Sequence, residues 1–273
     1  MKKLLSLLLA VLMLATLVAC SKEEDDNNDL DEYRQNEVVI DNITIDGDTF
    51  YFDAIDSETV TITNFKGSDV PHKVTIPEKL NDKTVVSISE GAFYSYSNIT
   101  EIVIPKTVTS IGDRAFACCN ALKSVTIPAT VQTIGSELFL KCFSLTSVTF
   151  EQGSKISAIP ANMFSECTSL ESVTIPAHIK TVEVGAFRAC TALKTLVISE
   201  GVETLAKQAF QDCAALETIT LPASLKTIGE FNFTGAPVLY IENVTAPAGS
   251  EAAKYVEALK LPNKPVEETT PAA

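Results

Sequence analysis

Apolar residues return along most of this chain at a fixed interval. Seven phenylalanines are separated by steps of 23, 23, 25, 23, 23 and 23 residues, and further apolar columns follow most of them at six, nine and eleven residues. A period of roughly 20–29 residues is typical of a solenoid, in which each repeat forms one coil and buries its apolar residues against its neighbours. The phenylalanines that set the period are Phe93, Phe116, Phe139, Phe164, Phe187, Phe210 and Phe233.

The spacing within one repeat predicts a strand followed by turns. After Leu122, the apolar Val125 and Ile127 alternate with hydroxyl residues, and this period of two predicts a strand with one apolar side. Pro128 ends the strand because proline has no N–H for the next ladder bond. The 115–119 segment, with one apolar edge, predicts a short helical turn that closes the coil.

The whole motif resembles the BspA-type, or treponemal-type, leucine-rich-repeat family. The resemblance covers about Val74–Val244 and implies a right-handed, β-rich solenoid of ~23-residue repeats with short helical or 3-10 turns. The sequence departs from the motif after Phe150 and Ile198, where proline is missing, and a two-residue insertion near 153–154 explains the 25-residue step. In this chain the motif takes the form Ala115-Phe116-x-x-Cys119-x-x-Leu122-x-x-Val125-x-Ile127-Pro128-x-x-Val131-x-x-Ile134-Gly135.

The segments on either side of the repeats have other patterns. Two alternating runs in Ile43–Phe52 flank Asp46 and Gly47, which predicts a β-hairpin. We expect residues 38–83 to form an N-terminal β cap and a first irregular repeat, followed by leucine-rich repeats over 84–245.

The pattern weakens after the last phenylalanine. Leu239–Val244 predicts a last, irregular strand, and Glu251–Lys260 has apolar residues at helical spacing behind Ser250 as N-cap. We expect residues 246–261 to form a C-terminal helical cap. The Pro-, Glu- and Thr-rich residues 262–273 are expected to be a disordered tail.

The first 20 residues have the pattern of an export signal. Lys2 and Lys3 precede an apolar run that is too short for a spanning helix, so residues 1–19 are interpreted as a signal peptide. Leu17-Val18-Ala19-Cys20 resembles the lipobox of bacterial lipoproteins, which implies cleavage before Cys20 and lipidation of that residue. An ordinary secretory signal with an incidental cysteine is the alternative.

Residues 20–37 are polar and acidic, and they predict a lipidated, disordered tether. The Lys22-Glu23-Glu24 run also resembles the signal that sends some Gram-negative lipoproteins to the outer face of the outer membrane, although a plain solvated linker explains it equally well. Together these segments predict an exported protein, anchored by lipid to the outer membrane and exposed at the cell surface.

The charge of the chain is uneven. The formal net charge is −14, yet residues 88–240 contain ten basic and thirteen acidic residues, a net charge of −3. A near-neutral repeat body behind an acidic lead argues against nucleic acid as a partner, because that interaction needs a basic stripe.

Five of the seven cysteines share one column, three residues after successive phenylalanines. Neighbouring coils stack at about 4.8 Å, so disulfides between column members are geometrically conceivable. A column that faces the interior also suits reduced cysteine as a small hydrophobe, which we expect here. Zinc is disfavoured because no Cys-x-x-Cys pair occurs. The column contains Cys119, Cys142, Cys167, Cys190 and Cys213, and Cys118 lies beside it.

No catalytic motif is present in the sequence. The two histidines, His72 and His178, stand far apart and are expected to be solvated, and there is neither a Gly-rich phosphate loop after a strand nor a Gly-x-Ser-x-Gly motif. We therefore expect a protein that is not an enzyme, without cofactor or metal.

The outward positions of the predicted strands form the candidate ligand face. They are rich in serine and threonine, which suits an extended partner but also suits plain solvation of a sheet. The face has no large aromatic anchors. Its members are Glu101, Lys123, Ser124, Thr126, Thr146, Ser147, Thr149, Glu171, Ser172, Thr174, Lys194, Thr195, Glu217, Thr218 and Thr220.

The predicted function is non-catalytic binding of a host or bacterial surface protein, with membrane attachment through Cys20. An adhesive role is implied only by the family resemblance, because a fold does not by itself define a function. One alternative is a glycan-binding lipoprotein of a nutrient-uptake system, which the absence of tryptophan disfavours. The other is a structural envelope protein without a soluble ligand.

Overall fold

The computed structural model describes residues 41–237 and 239–261. The predicted signal peptide (1–19), the tether (20–37) with Cys20, and the tail (262–273) lie outside these described residues. Within the described ranges, no helix has both the length and the apolar character that a membrane span needs.

The described part of the chain opens with three antiparallel strands, β1 (Asp41–Ile45), β2 (Asp48–Ala54) and β3 (Thr59–Lys66). β1 and β2 form the predicted hairpin, and Asp46 and Gly47 at its tip have φ angles of 51° and 91°. An Asp-Gly pair suits two left-handed positions because glycine lacks a Cβ atom and aspartate tolerates this region.

The chain enters the solenoid through β4 (His72–Thr75), β5 (Lys79–Leu80) and β6 (Lys83–Ile88). β5 pairs with β6 in an antiparallel manner, so the long connection between the first two repeat segments folds as a small hairpin. β6 pairs in parallel with β3, and the ring of Phe65 in β3 lies 4.8 Å from that of Phe93. These contacts place β1–β3 against the first coil, while the stabilising role of a cap stays a prediction.

The repeats build two ladders of parallel strands along the stack. The first ladder begins with β4 and continues with β7 (Ile99–Val103), β9 (Ser124–Ile127), β11 (Ser147–Phe150), β13 (Ser172–Ile175), β15 (Thr195–Ile198), β17 (Thr218–Thr220) and β19 (Val244–Thr245). The second begins with β6 and continues with β8 (Ser110–Ile111), β10 (Thr133–Ile134), β12 (Ala158–Ile159), β14 (Thr181–Val182), β16 (Thr204–Leu205) and β18 (Thr227–Ile228).

Alternation along the strands of the first ladder fills the core as the sequence predicts. In β9, Val125 and Ile127 are buried, whereas Thr126 is exposed. The same inward positions hold Leu196 and Ile198 in β15, both buried. One coil alone could not remove these side chains from water, so the stack of coils is the folding unit.

The phenylalanines form one continuous column of rings inside the solenoid. Neighbouring rings from Phe93 to Phe233 have centroids 5.0–6.1 Å apart. The column extends beyond the repeats, because Phe65 packs on its first ring and Tyr255 on its last. These distances lie in the range where aromatic pairs attract each other beyond the burial of their surface.

The turn around each phenylalanine is less regular than the predicted helical turn. It consists of single turns in which a backbone N–H donates to the carbonyl oxygen three residues earlier. Residues with left-handed backbone angles interrupt these turns. In the coil of Phe116, the left-handed residues are Arg114 (φ 54°) and Cys118 (φ 59°). The backbone N–H groups of Arg114, Phe116 and Cys118 donate to carbonyl oxygens of the next coil at 2.8–3.1 Å. The left-handed residues thus turn backbone N–H groups toward the neighbouring coil, which a continuous helix would keep inside itself.

The cysteine column lies in the core beside the ring column. All six cysteines of the repeats are buried thiols. In each of the five column members, Sγ donates to the carbonyl oxygen of the phenylalanine in the preceding coil, at 3.2–3.3 Å. The column therefore combines the size of a small apolar side chain with a weak additional donor to a carbonyl oxygen of the preceding coil.

The stack ends with a short helix. Instead of a strand over Leu239–Val244, the structure has a 3-10 turn at Ile241–Asn243 and a strand of only two residues, β19, so this prediction was wrong in extent. Helix α1 (Glu251–Leu259) follows, and the hydroxyl of Ser250 accepts from the N–H of Ala253 as the predicted N-cap. The role of α1 as a closing element stays a prediction.

Candidate functional site

All fifteen residues predicted for the ligand face lie at the surface of the first ladder. Twelve of them are exposed, and Ser124, Thr195 and Thr220 are half-buried. We call this surface the ladder face. Its residues stand on strands whose opposite side is anchored in the core, so their backbone positions are held firmly.

The pairing of the strands arranges the ladder face in rows. In the first half, Ser124 lies beside Ser147 and Thr126 beside Thr149. In the second half, Ser172, Thr195 and Thr218 form one row. The charged residues that precede these strands also lie in a row. The N–H of Glu217 donates to the carbonyl oxygen of Lys194, and the N–H of Lys194 donates to that of Glu171.

Charges on the ladder face neutralise each other. The ammonium group of Lys73 lies 2.7 Å from the carboxylate of Glu101, and that of Lys194 lies 3.3 Å from Glu171. All four side chains are about half exposed or more, so these pairs contribute little to stability. Their effect is to leave a surface dominated by hydroxyl groups and without a strong field of either sign.

Both ladders are interrupted at the same place, at the coil with the two-residue insertion. The first ladder is paired as β4–β7–β9–β11 and then again as β13–β15–β17–β19. No pairing joins β11 to β13, or β10 to β12, in the described structure. Nearly all Cα–Cα distances between β11 and β13 exceed 8 Å, whereas neighbouring paired strands are separated by about 4.8 Å.

The coils on either side of this break remain joined at the phenylalanine turns. There the N–H groups of Glu137, Phe139 and Lys141 donate to carbonyls of the next coil, each at 2.9 Å. The rings of Phe139 and Phe164 stack at 5.7 Å, the same distance as in the preceding pair. The two coils therefore form a wedge that is closed at the turns and open at the strands.

The open side of the wedge is a cleft in the ladder face. It has a volume of about 70 Å³, room for about five water molecules at roughly 10–15 Å³ each. Val148, Phe150 and Val173 line it and are only half-buried, although the equivalent residues of β9 and β15 are fully buried. Phe164, Phe187, Ser172 and Thr174 also line it.

The repeat arrangement agrees with a known family of sequences. The profile of the BspA type Leucine rich repeat region matches residues 58–190 and 157–253 of this chain, with six copies of the repeat. This chain belongs to the BspA-type leucine-rich-repeat family. The family assignment agrees with the ~23-residue period and with the parallel ladders.

Solved structures of bacterial leucine-rich-repeat proteins are similar to this one. A leucine-rich-repeat protein of T. pallidum (TpLRR) is 26% identical with a TM-score of 0.63, over 79% of this chain and 95% of that chain. A leucine-rich-repeat protein of Eubacterium ventriosum ATCC 27560 is 29% identical with a TM-score of 0.53, over 64% of this chain but only 44% of that chain. Comparison with curated protein sequences gives no match.

Proteins of the BspA-type family are repeat modules, generally without catalytic activity. The expectation that both histidines are solvated was wrong for His72. Its Nε2 lies 2.9 Å from Oδ1 of Asp48, and its Nδ1 lies 2.9 Å from the carbonyl oxygen of Val70. Both ring nitrogens are thus engaged within the chain, and the pair ties β4 to β2.

His178 is exposed, as expected, and lies at the cleft. Its ring meets that of Phe150 edge to face, with centroids 6.3 Å apart. Among residues 41–237 and 239–261, no three metal-binding side chains come together in one group.

The repeat pattern alone did not reveal the cleft. The sequence contains its signal, because the step from Phe139 to Phe164 is two residues longer than the others and Phe150 is not followed by proline. An extra pair of residues between two strands can be absorbed in a surface loop without any change in stacking. Only the structure shows that here the strands separate.

Proposed function

We propose that this protein is an exported, lipid-anchored module that binds another protein through the ladder face and is not an enzyme. The observation that carries the proposal is the alignment of hydroxyl side chains into rows on a rigid ladder. A side chain held on a core strand loses little entropy when it binds. Solenoids in general use the extended surface of their ladders for partners.

The chemistry of the ladder face favours a protein over a glycan or a nucleic acid. Hydroxyl groups can donate and accept, which suits the polar main chain and side chains of a protein surface. The chain has no tryptophan, the side chain best suited to stack on sugars. The charge pairs on the face offer no basic stripe for phosphates.

A pair of matched threonines in one coil tests this use of the face. Thr126 in β9 and Thr133 in β10 are both exposed, but they belong to the first and second ladder, respectively. The full chain is screened on arrays of extracellular-matrix proteins, bacterial surface proteins and glycans. We expect a protein hit whose affinity falls about tenfold or more with Thr126→Arg, because a bulky charge disturbs a packed interface, and is unchanged with Thr133→Arg.

The arrays also discriminate between the alternatives. Binding to glycans alone would replace the proposal with the nutrient-uptake function. Binding to no arrayed molecule, together with envelope defects in a deletion strain, would favour the structural envelope protein. Equal losses with both arginine variants would place the binding surface elsewhere on the protein.

Anchoring rests on Cys20, which lies outside the described residues. Substitution of Cys20 by alanine removes the only thiol in the proposed lipobox, so we expect the protein to move from the membrane fraction to the soluble fraction. Wild-type protein in the same cells is the control. Membrane association of the variant would contradict lipid anchoring.

Exposure at the cell surface is tested separately by protease treatment of intact cells. Release of the repeat domain before lysis is the expected result. Survival of the domain until the cells are broken would place it in the periplasm and contradict an adhesive role.

A further inference from the structure

We propose that the cleft between β11 and β13 binds an extended segment of a partner protein as an added strand, with an apolar side chain of that segment in the cleft. This inference rests on the proposed protein-binding function and adds where the partner engages and in which conformation. The break in the first ladder creates two strand edges in the middle of the sheet.

Unpaired strand edges present alternating N–H and C=O groups that can pair with another strand. Here two such edges face each other, since among the described strands β11 pairs with β9 alone and β13 with β15 alone. A strand inserted between them would have both of its own edges satisfied. Neither a sugar nor a phosphate offers this alternation of donors and acceptors along a line.

The gap between β11 and β13 is wider than the spacing of paired strands. One added strand needs about two spacings of 4.8 Å between its neighbours, which is about 9.6 Å. Nearly all Cα–Cα distances between β11 and β13 exceed 8 Å, so the two edges already stand apart by more than one strand spacing. The coils do not drift apart further, because the backbone bonds and the ring stack at Phe139 and Phe164 hold the wedge closed at its other side.

The inside of the gap fits an apolar side chain. Side chains of a strand alternate between the two faces of a sheet, so every second residue of an inserted segment would point into the cleft. There it would meet Val148, Phe150 and Val173, the residues that the break leaves half-buried. Covering them would complete the core in the same manner as at β9 and β15.

The polar groups near the gap fit the other residues of the segment. Ser172 and Thr174 contribute hydroxyl groups beside the apolar lining, and the exposed ring of His178 lies against Phe150. Apolar lining and hydroxyl groups together predict a segment in which apolar residues alternate with polar ones.

The test uses a display library of random linear peptides, selected against the full chain in detergent. We expect enriched peptides with an apolar residue at every second position. Binding of a labelled enriched peptide should fall about tenfold or more with Ser172→Arg, which places a long charged side chain beside the gap, and with Val173→Phe, which fills the cleft. Deletion of Gly153 and Ser154 restores the 23-residue step, and it should likewise abolish binding by letting β11 pair with β13.

A matched control lies in the same half of the ladder. Thr218 occupies the position of Ser172 two strands further on, is also exposed, and belongs to a strand paired on both sides. Thr218→Arg should leave peptide affinity within about twofold. N-methylation of the peptide at alternate residues removes the main-chain donors toward one of the two strand edges and should abolish binding, and a shift of the methyl groups by one residue should remove the donors toward the other edge.

Three results would overturn the inference. One is the absence of any enriched peptide, and another is equal loss of binding with Thr218→Arg and Ser172→Arg. The third is peptide binding that N-methylation leaves unchanged. If the arrays still show protein binding that depends on Thr126, the proposed function stands and only the assignment to the cleft fails.

Discussion

Replacement of Phe164 by alanine should lower the free energy of unfolding by about 3–5 kcal/mol. The ring is almost fully buried and stacks at 5.7 Å on Phe139 and at 5.0 Å on Phe187. Its removal deletes both stacking contacts and leaves a void that the bonded turns on either side cannot close. The void adds to the lost transfer free energy of the ring.

Denaturant unfolding of the purified protein gives this value, with Phe231→Ala as the control. The side chain of Phe231 is 56% exposed, so its truncation should change the free energy of unfolding by about 0.5 kcal/mol or less. Phe116→Ala, which lies away from the cleft, should cost as much as Phe164→Ala. A loss below about 1 kcal/mol at Phe164 would show that the ring column contributes little to the stability of the core.

Alkaline pH should destabilise the protein steeply because of the thiol column. Burial raises the pKa of the Cys213 thiol to about 12, and it raises the pKa values of Cys167 and Cys190 well above the usual range. In the unfolded chain these thiols ionise near pH ~8.5. Above that pH the unfolded state loses protons that the folded state keeps, so stability falls as pH rises.

The size of the effect follows from linkage. Each such thiol lowers the free energy of unfolding by about 1.4 kcal/mol per pH unit, so the three together contribute about 4 kcal/mol per unit above pH ~9. Below pH ~8 the thiols are protonated in both states, and their contribution to stability is fully present and independent of pH.

Denaturant unfolding at a series of pH values between about 8 and 10.5 measures this slope. Cys190→Ala should reduce the slope by about 1.4 kcal/mol per pH unit, because one titrating group is removed. Ile198→Val, a core truncation without a thiol, should shift the curve by about 0.5–1.5 kcal/mol and leave its slope unchanged. A slope that is the same in both variants would rule out the thiol column as its origin.

The sequence predicted those parts of the fold that repeat. The ring column, the inward positions of the strands and the Asp46-Gly47 hairpin are set by local spacing, and a regular stack amplifies each of them. The surface positions of the fifteen ladder-face residues could be predicted for the same reason. Binding of a protein by that face also depends on the partner, which the repeat pattern does not describe, so this function stays a proposal.

Three features escaped prediction, and each depends on a relation between coils. The left-handed residues at Arg114 and Cys118 serve hydrogen bonds to the next coil, which a pattern within one repeat does not encode. The Asp48–His72 pair joins strands that are distant in sequence. The separation of β11 from β13 depends on how a two-residue insertion is accommodated in three dimensions.

The wedge between the coils of Phe139 and Phe164 also affects how the molecule unfolds. In a stack of repeats, stability is a sum of terms for single coils and for the interfaces between neighbours. Both ladders are missing from this one interface, which keeps only its bonds and stacked rings at the turns. We therefore expect this interface to be the weakest coupling within the stack and the two halves on either side to unfold as separate cooperative units. Amide hydrogens of β11 and β13 then exchange with solvent through openings that begin in the middle of the chain, as well as through fraying at its ends.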